Sequence, residues 1–249
     1  MAKTVLITGA SSGIGKALAL EFSRRGYHLG LVSRRLEALE SLAAQIQATH
    51  PSIQVECRAL NVNEIAQIKP VIQDLRDSLG KLDIVIANAG IGGGSFVGSG
   101  HLNQDLAIIQ TNVAGAMATI DAAVEIFKKQ HSGHIVGISS VAAYRGMPGS
   151  AAYCASKAAI ATYLDALTTE LYHTPIKVTT LYPGYIDTPL NNMLKKRPFL
   201  IDVNTGAGIM ANLIEKEVTV STVPVYPWSM IGKLLKNIPR SMLAKRKAP

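Results

Sequence analysis

Cysteine is scarce in this chain of 249 residues. Cys57 and Cys154 are the only two, and no ligand-like or redox spacing joins them. That argues against a disulfide framework and against a cysteine-built metal centre, so no metal is expected and a reducing, cytoplasmic compartment is. Aromatic residues make up only 5%, and a core must be built mainly from Ala, Val, Ile and Leu. No unbroken apolar run approaches the roughly 20 residues of a membrane-spanning helix. The apolar stretch Thr4-Val5-Leu6-Ile7 begins too early to leave room for a signal peptide. Acidic residues stop at Glu217, after which Lys233, Lys236, Arg240, Lys245, Arg246 and Lys247 carry six positive charges. With a net charge of +8, the remainder is close to neutral, which speaks against a broad nucleic-acid-binding face and for something local at the C-terminus.

What is present is a regular alternation of apolar strands and amphipathic helices. Strands are expected at 3–8, 27–33, 53–60, 82–87, 135–138, 176–181 and 218–223. Between them, helices are expected at 13–26, 36–49, 64–79 and 150–172, with two helices filling 102–130. Alternation at this spacing predicts an α/β fold, a doubly wound parallel sheet of about seven strands covered on both faces. Without a linker or repeat, residues 1–249 read as one dinucleotide-binding domain with a basic amphipathic extension at about 226–249.

The first strand runs into Thr8-Gly9-Ala10-Ser11-Ser12-Gly13-Ile14-Gly15 and then a helix. Glycines at a strand–helix junction permit a tight turn and let backbone N–H groups meet a pyrophosphate at the helix N-terminus. The end of the second strand reads Ser33-Arg34-Arg35, with no acid before Glu37. A carboxylate there would bind the ribose diol of NAD, whereas a guanidinium accepts the 2′-phosphate of NADP. Arg34 therefore favours NADP(H) over NAD(H).

Further along, Tyr153-Cys154-Ala155-Ser156-Lys157 places a phenol and an ammonium four residues apart, on one helix face. A neighbouring cation is expected to lower the phenol pKa from about 10 and make it useful for proton transfer. Ser140 lies upstream at the end of the fifth predicted strand.

With these motifs in order, and with Asn88-Ala89-Gly90, Asn112 and Pro183-Gly184 beside them, the chain resembles the short-chain dehydrogenase/reductase family in its short single-domain branch. The resemblance implies a hydride transfer between nicotinamide and a carbonyl or secondary alcohol. It implies that Ser140 supports the substrate oxygen, that Tyr153 moves its proton, and that Lys157 depresses the phenol pKa and holds the nicotinamide ribose. Asn112, through its helix backbone, would bind a water linking Lys157 to solvent. For the cofactor it implies contacts from Gly9, Ser11, Ser12, Gly13, Ile14 and Gly15, from Asn61 and Val62 at the adenine, and from Asn88, Ala89 and Gly90. Pro183, Gly184, Ile186 and Thr188 would pass the nicotinamide. Two positions depart from the family pattern, which often has Asp at Asn61 and Asn at Ala87. The resemblance also implies a homo-oligomer, a dimer or tetramer paired through the helices that carry Asn112 and Tyr153.

The segment after Pro189 holds Leu190, Met193, Leu194, Phe199, Leu200 and Ile201 around Lys195-Lys196-Arg197. Apolar residues there suggest a lipophilic ketone or aldehyde as the small-molecule substrate. From Trp228, the residues Ile231, Leu235, Ile238 and Met242 recur at three- and four-residue steps, and Pro239 is expected to divide two short helices. That stripe is expected to cover the protein's own core or a subunit interface. Peripheral attachment to an anionic membrane is the second reading. A catalytically silent dinucleotide sensor or scaffold shares the fold, but the presence of Asn112, Ser140, Tyr153 and Lys157 together speaks for an enzyme.

Overall fold

Short apolar runs make the strands. The protein's computed structural model describes residues 2–194, 196–235 and 237–244. Lys195, Lys236, Lys245, Arg246 and Lys247, part of the expected basic loop and tail, lie outside the described residues. The strands are β1 (Thr4–Thr8), β2 (His28–Ser33), β3 (Val55–Ala59), β4 (Ile84–Ala87), β5 (Gly133–Ile138), β6 (Ile176–Pro183) and β7 (Val220–Val223). They form one sheet in the order β3-β2-β1-β4-β5-β6-β7, every neighbouring pair parallel. This is the doubly wound fold expected from the alternation.

Successive strand residues point to opposite faces, so one run feeds two cores. Val5 and Ile7 join Leu18, Phe22, Leu39 and Ile46 on one side, where helices α1 (Gly13–Arg24) and α2 (Leu36–Thr49) lie. Leu6 and Val85 face the other side with Ile68, Ile72, Phe127 and Leu164. Those residues belong to β1, β4, α3 (Ile65–Leu79), α5 (Ala116–Gln130) and α6 (Ala151–Glu170).

Two elements depart from the expectations. The stretch 102–130 is one continuous helical rod rather than two helices: α4 (Leu102–Ile109) passes through a π-helical turn, Gln110–Gly115, into α5. The rod is long and apolar enough by composition to span a bilayer, yet half of its most apolar window is buried in the fold, as for a core helix. A further helix, α7 (Val203–Glu215), fills what reads as loop in the sequence. Its signals were Asp202, whose carboxylate accepts from the Asn204 and Thr205 amides, and the apolar steps Ala207, Met210, Ala211 and Ile214. Gly206 and Gly208 inside it masked them. Finally, α8 (Trp228–Leu235) and α9 (Arg240–Leu243) are the two short helices expected either side of Pro239.

The order of the sheet reverses between β1 and β4: β1 continues to β2 on one side, while β4 continues to β5 on the other. The carboxyl ends of β1 and β4 therefore diverge into a crevice, where open α/β sheets receive ligands.

Candidate active site

One cavity of about 420 Å³ runs across that crevice. At its phosphate end, Gly9 and Gly13 have φ of +70° and +54°, conformations that side-chain-bearing residues rarely adopt. The turn they make delivers Ser11, Ser12 and Ile14 to the cavity wall. Ser12 caps α1 without a side-chain hydrogen bond to the first turn, so the helix N-terminus offers its amides to an anion. Gly15 departs from expectation. It is buried beneath the turn, where a β carbon would stand 2.4 Å from the Gly9 carbonyl oxygen. Its smallness brings α1 against β1, and it does not line the cavity.

Arg34 and Arg35 both line the adjoining wall. The sequence reading chose Arg34, but Arg35 is the one tied to the glycine turn, its guanidinium donating to the Ser11 hydroxyl at 3.0 Å. Asn61 and Val62 line the same end, and the Asn61 side-chain carbonyl accepts the Asn63 amide at 3.2 Å. Asn88 clasps β4 to β1 by donating from its side chain to the Thr8 carbonyl at 2.8 Å. Thr8 answers through its hydroxyl oxygen, which accepts the Asn88 and Ala89 amides. Asn88, Ala89 and Gly90 thus form the cavity floor.

The other end gathers Ser140, Tyr153 and Lys157, with Pro183, Gly184, Ile186 and Thr188 opposite. The two adjacent serines separate by role. Ser139 donates to the Lys157 main-chain carbonyl at 2.8 Å, whereas Ser140 hydrogen-bonds the Tyr153 phenol and accepts the Ala142 amide at 3.1 Å. Lys157 is buried, and its ammonium donates to the Ile138 carbonyl at 2.9 Å. Asn112 does not line the cavity. Only 2% exposed, it sits in the π turn, where its side-chain oxygen accepts the Ile91 amide at 2.8 Å. Its side-chain nitrogen donates to the Ile91 carbonyl and to the Ser156 hydroxyl. A π turn widens the helical ladder, a device frequent at functional sites.

The expected effect of Lys157 on the phenol is corrected by the electrostatics. Burial raises the Tyr153 pKa above its ordinary value, and the neighbouring Ser140 hydroxyl is what opposes the rise. Burial also pulls Lys157 down to about 8, because low-dielectric surroundings disfavour its charged form. Its ammonium stands over the face of the Tyr153 ring, 5.9 Å from the centroid. At neutral pH the phenol is accordingly a proton donor.

The residues fit a nicotinamide dinucleotide. A glycine turn and helix N-terminus suit the pyrophosphate, arginines lie at the end of β2, and a buried ammonium lies beside a phenol–hydroxyl pair. Leu190, named among the apolar residues after Pro189, closes the far wall with Asn191, which sequence reasoning missed. Asn191 is held by donation to the Ile186 carbonyl at 2.8 Å, a contact no local pattern announces.

Known proteins resemble this chain over most of its length. The family model for short chain dehydrogenase matches residues 3–198. An uncharacterized oxidoreductase of Mycobacterium tuberculosis is 38% identical over 236 residues, covering 94% of this chain and 93% of the relative. An NADP-dependent 3-hydroxy acid dehydrogenase of Schizosaccharomyces pombe is 34% identical over 188 residues, with 75% of this chain and 72% of the relative covered. Among solved structures, a short-chain dehydrogenase/reductase from Burkholderia phymatum in complex with NAD aligns with a TM-score of 0.85 at 21% identity. That alignment covers 100% of this chain and 96% of the other.

Proposed function

Because the chain belongs to the short-chain dehydrogenase family, and so is an oxidoreductase that uses a nicotinamide dinucleotide, we propose that it reduces a lipophilic ketone or aldehyde to the alcohol with NADP(H). The observation that carries this reading is the meeting of Ser140, Tyr153 and Lys157 in the same cavity as Arg34 and Arg35.

Held in the cleft, the dinucleotide supplies the hydride. Ser140 holds the substrate oxygen and steadies the charge that develops on it. Tyr153 gives that oxygen its phenolic proton, and in the oxidative direction takes the proton back. A pKa raised by burial keeps the phenol protonated, which suits reduction. Lys157 keeps a positive charge beneath the phenol and holds the nicotinamide ribose. Asn112 is a positioning residue that fixes Ile91 and Ser156 behind them. Gly9, Ser11, Ser12, Gly13 and Ile14 take the pyrophosphate. Arg34 is joined by Arg35 at the 2′-phosphate, Asn61 and Val62 flank the adenine, and Pro183, Gly184, Ile186 and Thr188 meet the nicotinamide.

Leu190 in the cavity wall, with further apolar side chains on the segment after it, supports a lipophilic substrate. In the same reading the protein works in the cytoplasm, where the free Cys57 and Cys154 stay reduced. It works as a homo-oligomer, supported by exposed Leu102, Leu106, Ile109 and Met117 along α4 and α5. The test is turnover of a panel of ketones and aldehydes of graded chain length, followed by loss of NADPH absorbance. Rates should rise with chain length. Tight NADPH binding with no turnover of any member would return the protein to the sensor or scaffold class.

A further inference from the structure

The segment after Pro189 and the C-terminal helices meet at Trp228. Its ring lies 5.9 Å, centroid to centroid, from both Phe199 and Tyr185, and Arg145 donates to the Ile238 carbonyl at 3.2 Å. The two segments make one rim beside the cavity, whose wall includes Leu190. The inner side of α8 is spent on the fold, with Trp228 and Gly232 buried. Its outer side carries Met230 and Leu234, four residues apart and both mostly exposed. Phe199 and Met242 are likewise mostly exposed, and Met193 is 88% exposed. Isolated surface apolar residues are ordinary, but several exposed ones on two segments that meet at Trp228 suit an interaction surface.

The charge on these segments has one sign. Residues 190–201 and 224–249 contain nine Lys and Arg and no Asp or Glu. The chain's net charge is +8, so everything outside these two segments sums to −1. The two acids that flank the first segment are already engaged. Asp187 pairs with Arg197, and Asp202 caps α7.

We propose that this rim docks the protein on an anionic lipid surface. Apolar side chains enter the interface while the cationic sequence of the two segments favours anionic headgroups, the combination that holds peripheral proteins on membranes. Docking would set the mouth of the cleft against the phase in which a lipophilic substrate dissolves. That consequence rests on the function proposed above, whereas the docking rests on the rim alone.

The test is co-sedimentation of the full chain with phosphatidylcholine vesicles, with and without phosphatidylglycerol, and it needs no turnover. Binding is expected only with phosphatidylglycerol, and it should weaken as salt screens the charges. The double substitution Met230→Glu/Leu234→Glu, at exposed positions outside the cavity, should lower vesicle binding at least tenfold and leave NADPH binding unchanged. Failure of the intact chain to bind at low salt would overturn the proposal, as would binding that survives the double substitution. If the chain instead forms a concentration-dependent dimer that the substitutions dissolve, with no vesicle binding, the rim belongs to a second copy and the proposal falls.

Discussion

The ammonium of Lys157 stands over the face of the Tyr153 ring, 5.9 Å from its centroid, while its hydrogen bond goes to the Ile138 carbonyl at 2.9 Å. The pair is stacked, and burial dominates both titrations. A charge held this deep is unfavourable for the fold, and it persists because the site requires it.

Replacing that charge should separate stability from function. The folded pKa of Lys157 is about 8, below its ordinary 10.5, so between pH 10.5 and 8 the unfolded chain binds more protons than the folded one. Stability therefore falls as pH drops through that window and stays lowered at pH 7, by on the order of 3 kcal/mol. Lys157→Met should raise Tm by several degrees at pH 7, show little gain above pH 10, and abolish turnover. Thermal melts at the two pH values check the sign.

Tyr153→Phe keeps the ring and removes the proton. Turnover should drop by about 10²–10⁴-fold, the range of general acid catalysis, with the Kd for NADPH unchanged. Stopped-flow reduction and fluorescence titration read the two separately. A variant that retains most of its rate would remove Tyr153 from the mechanism.

Cofactor choice should follow the arginines. NADP(H) should bind at least tenfold tighter than NAD(H), since charge-assisted bonds to a phosphate exceed neutral ones. Arg34→Ala/Arg35→Ala should erase the difference by weakening NADP(H) alone. Equal affinities in the unaltered protein would refute the preference.

His134 sets a limit at acid pH, far from the cleft. Buried against the Thr179 hydroxyl at 2.8 Å, with Lys177 and Lys3 nearby, its pKa is lowered from 6.5 to about 4, mainly by burial. Below pH 6.5 the unfolded chain takes up a proton that the folded chain refuses, so stability declines from pH 6.5 to about 4, by about 3 kcal/mol. In urea denaturation, His134→Gln should flatten that decline.

The corner at Gly184 admits only glycine. A β carbon there would lie 2.1 Å from the indole nitrogen of Trp228. Gly184→Ala should destabilise the protein by about 1–3 kcal/mol, as overpacking does. In a Trp228→Ala background the same change should matter little, and a double-mutant cycle measures the difference.

Much of this molecule was legible in its residues. The strand–helix alternation carried the doubly wound sheet, because period-2 and period-3.6 apolar patterns are local. The order of Gly9 to Gly13, Ser140, Tyr153 and Lys157 carried the site, because each residue acts through a side chain or turn set by its immediate neighbours. Other features were settled only once distant segments met. The rod at 102–130 stays unbroken because its π turn packs on the body of the fold, and α7 forms under glycines because Met210 and Ile214 find a core. Arg35 rather than Arg34 reaches Ser11 through the path of the chain into α2. The state of Tyr153 was decided the same way. Sequence spacing puts a cation beside a phenol, but only the surrounding protein determines how much water is removed from both, and desolvation is the leading influence on each.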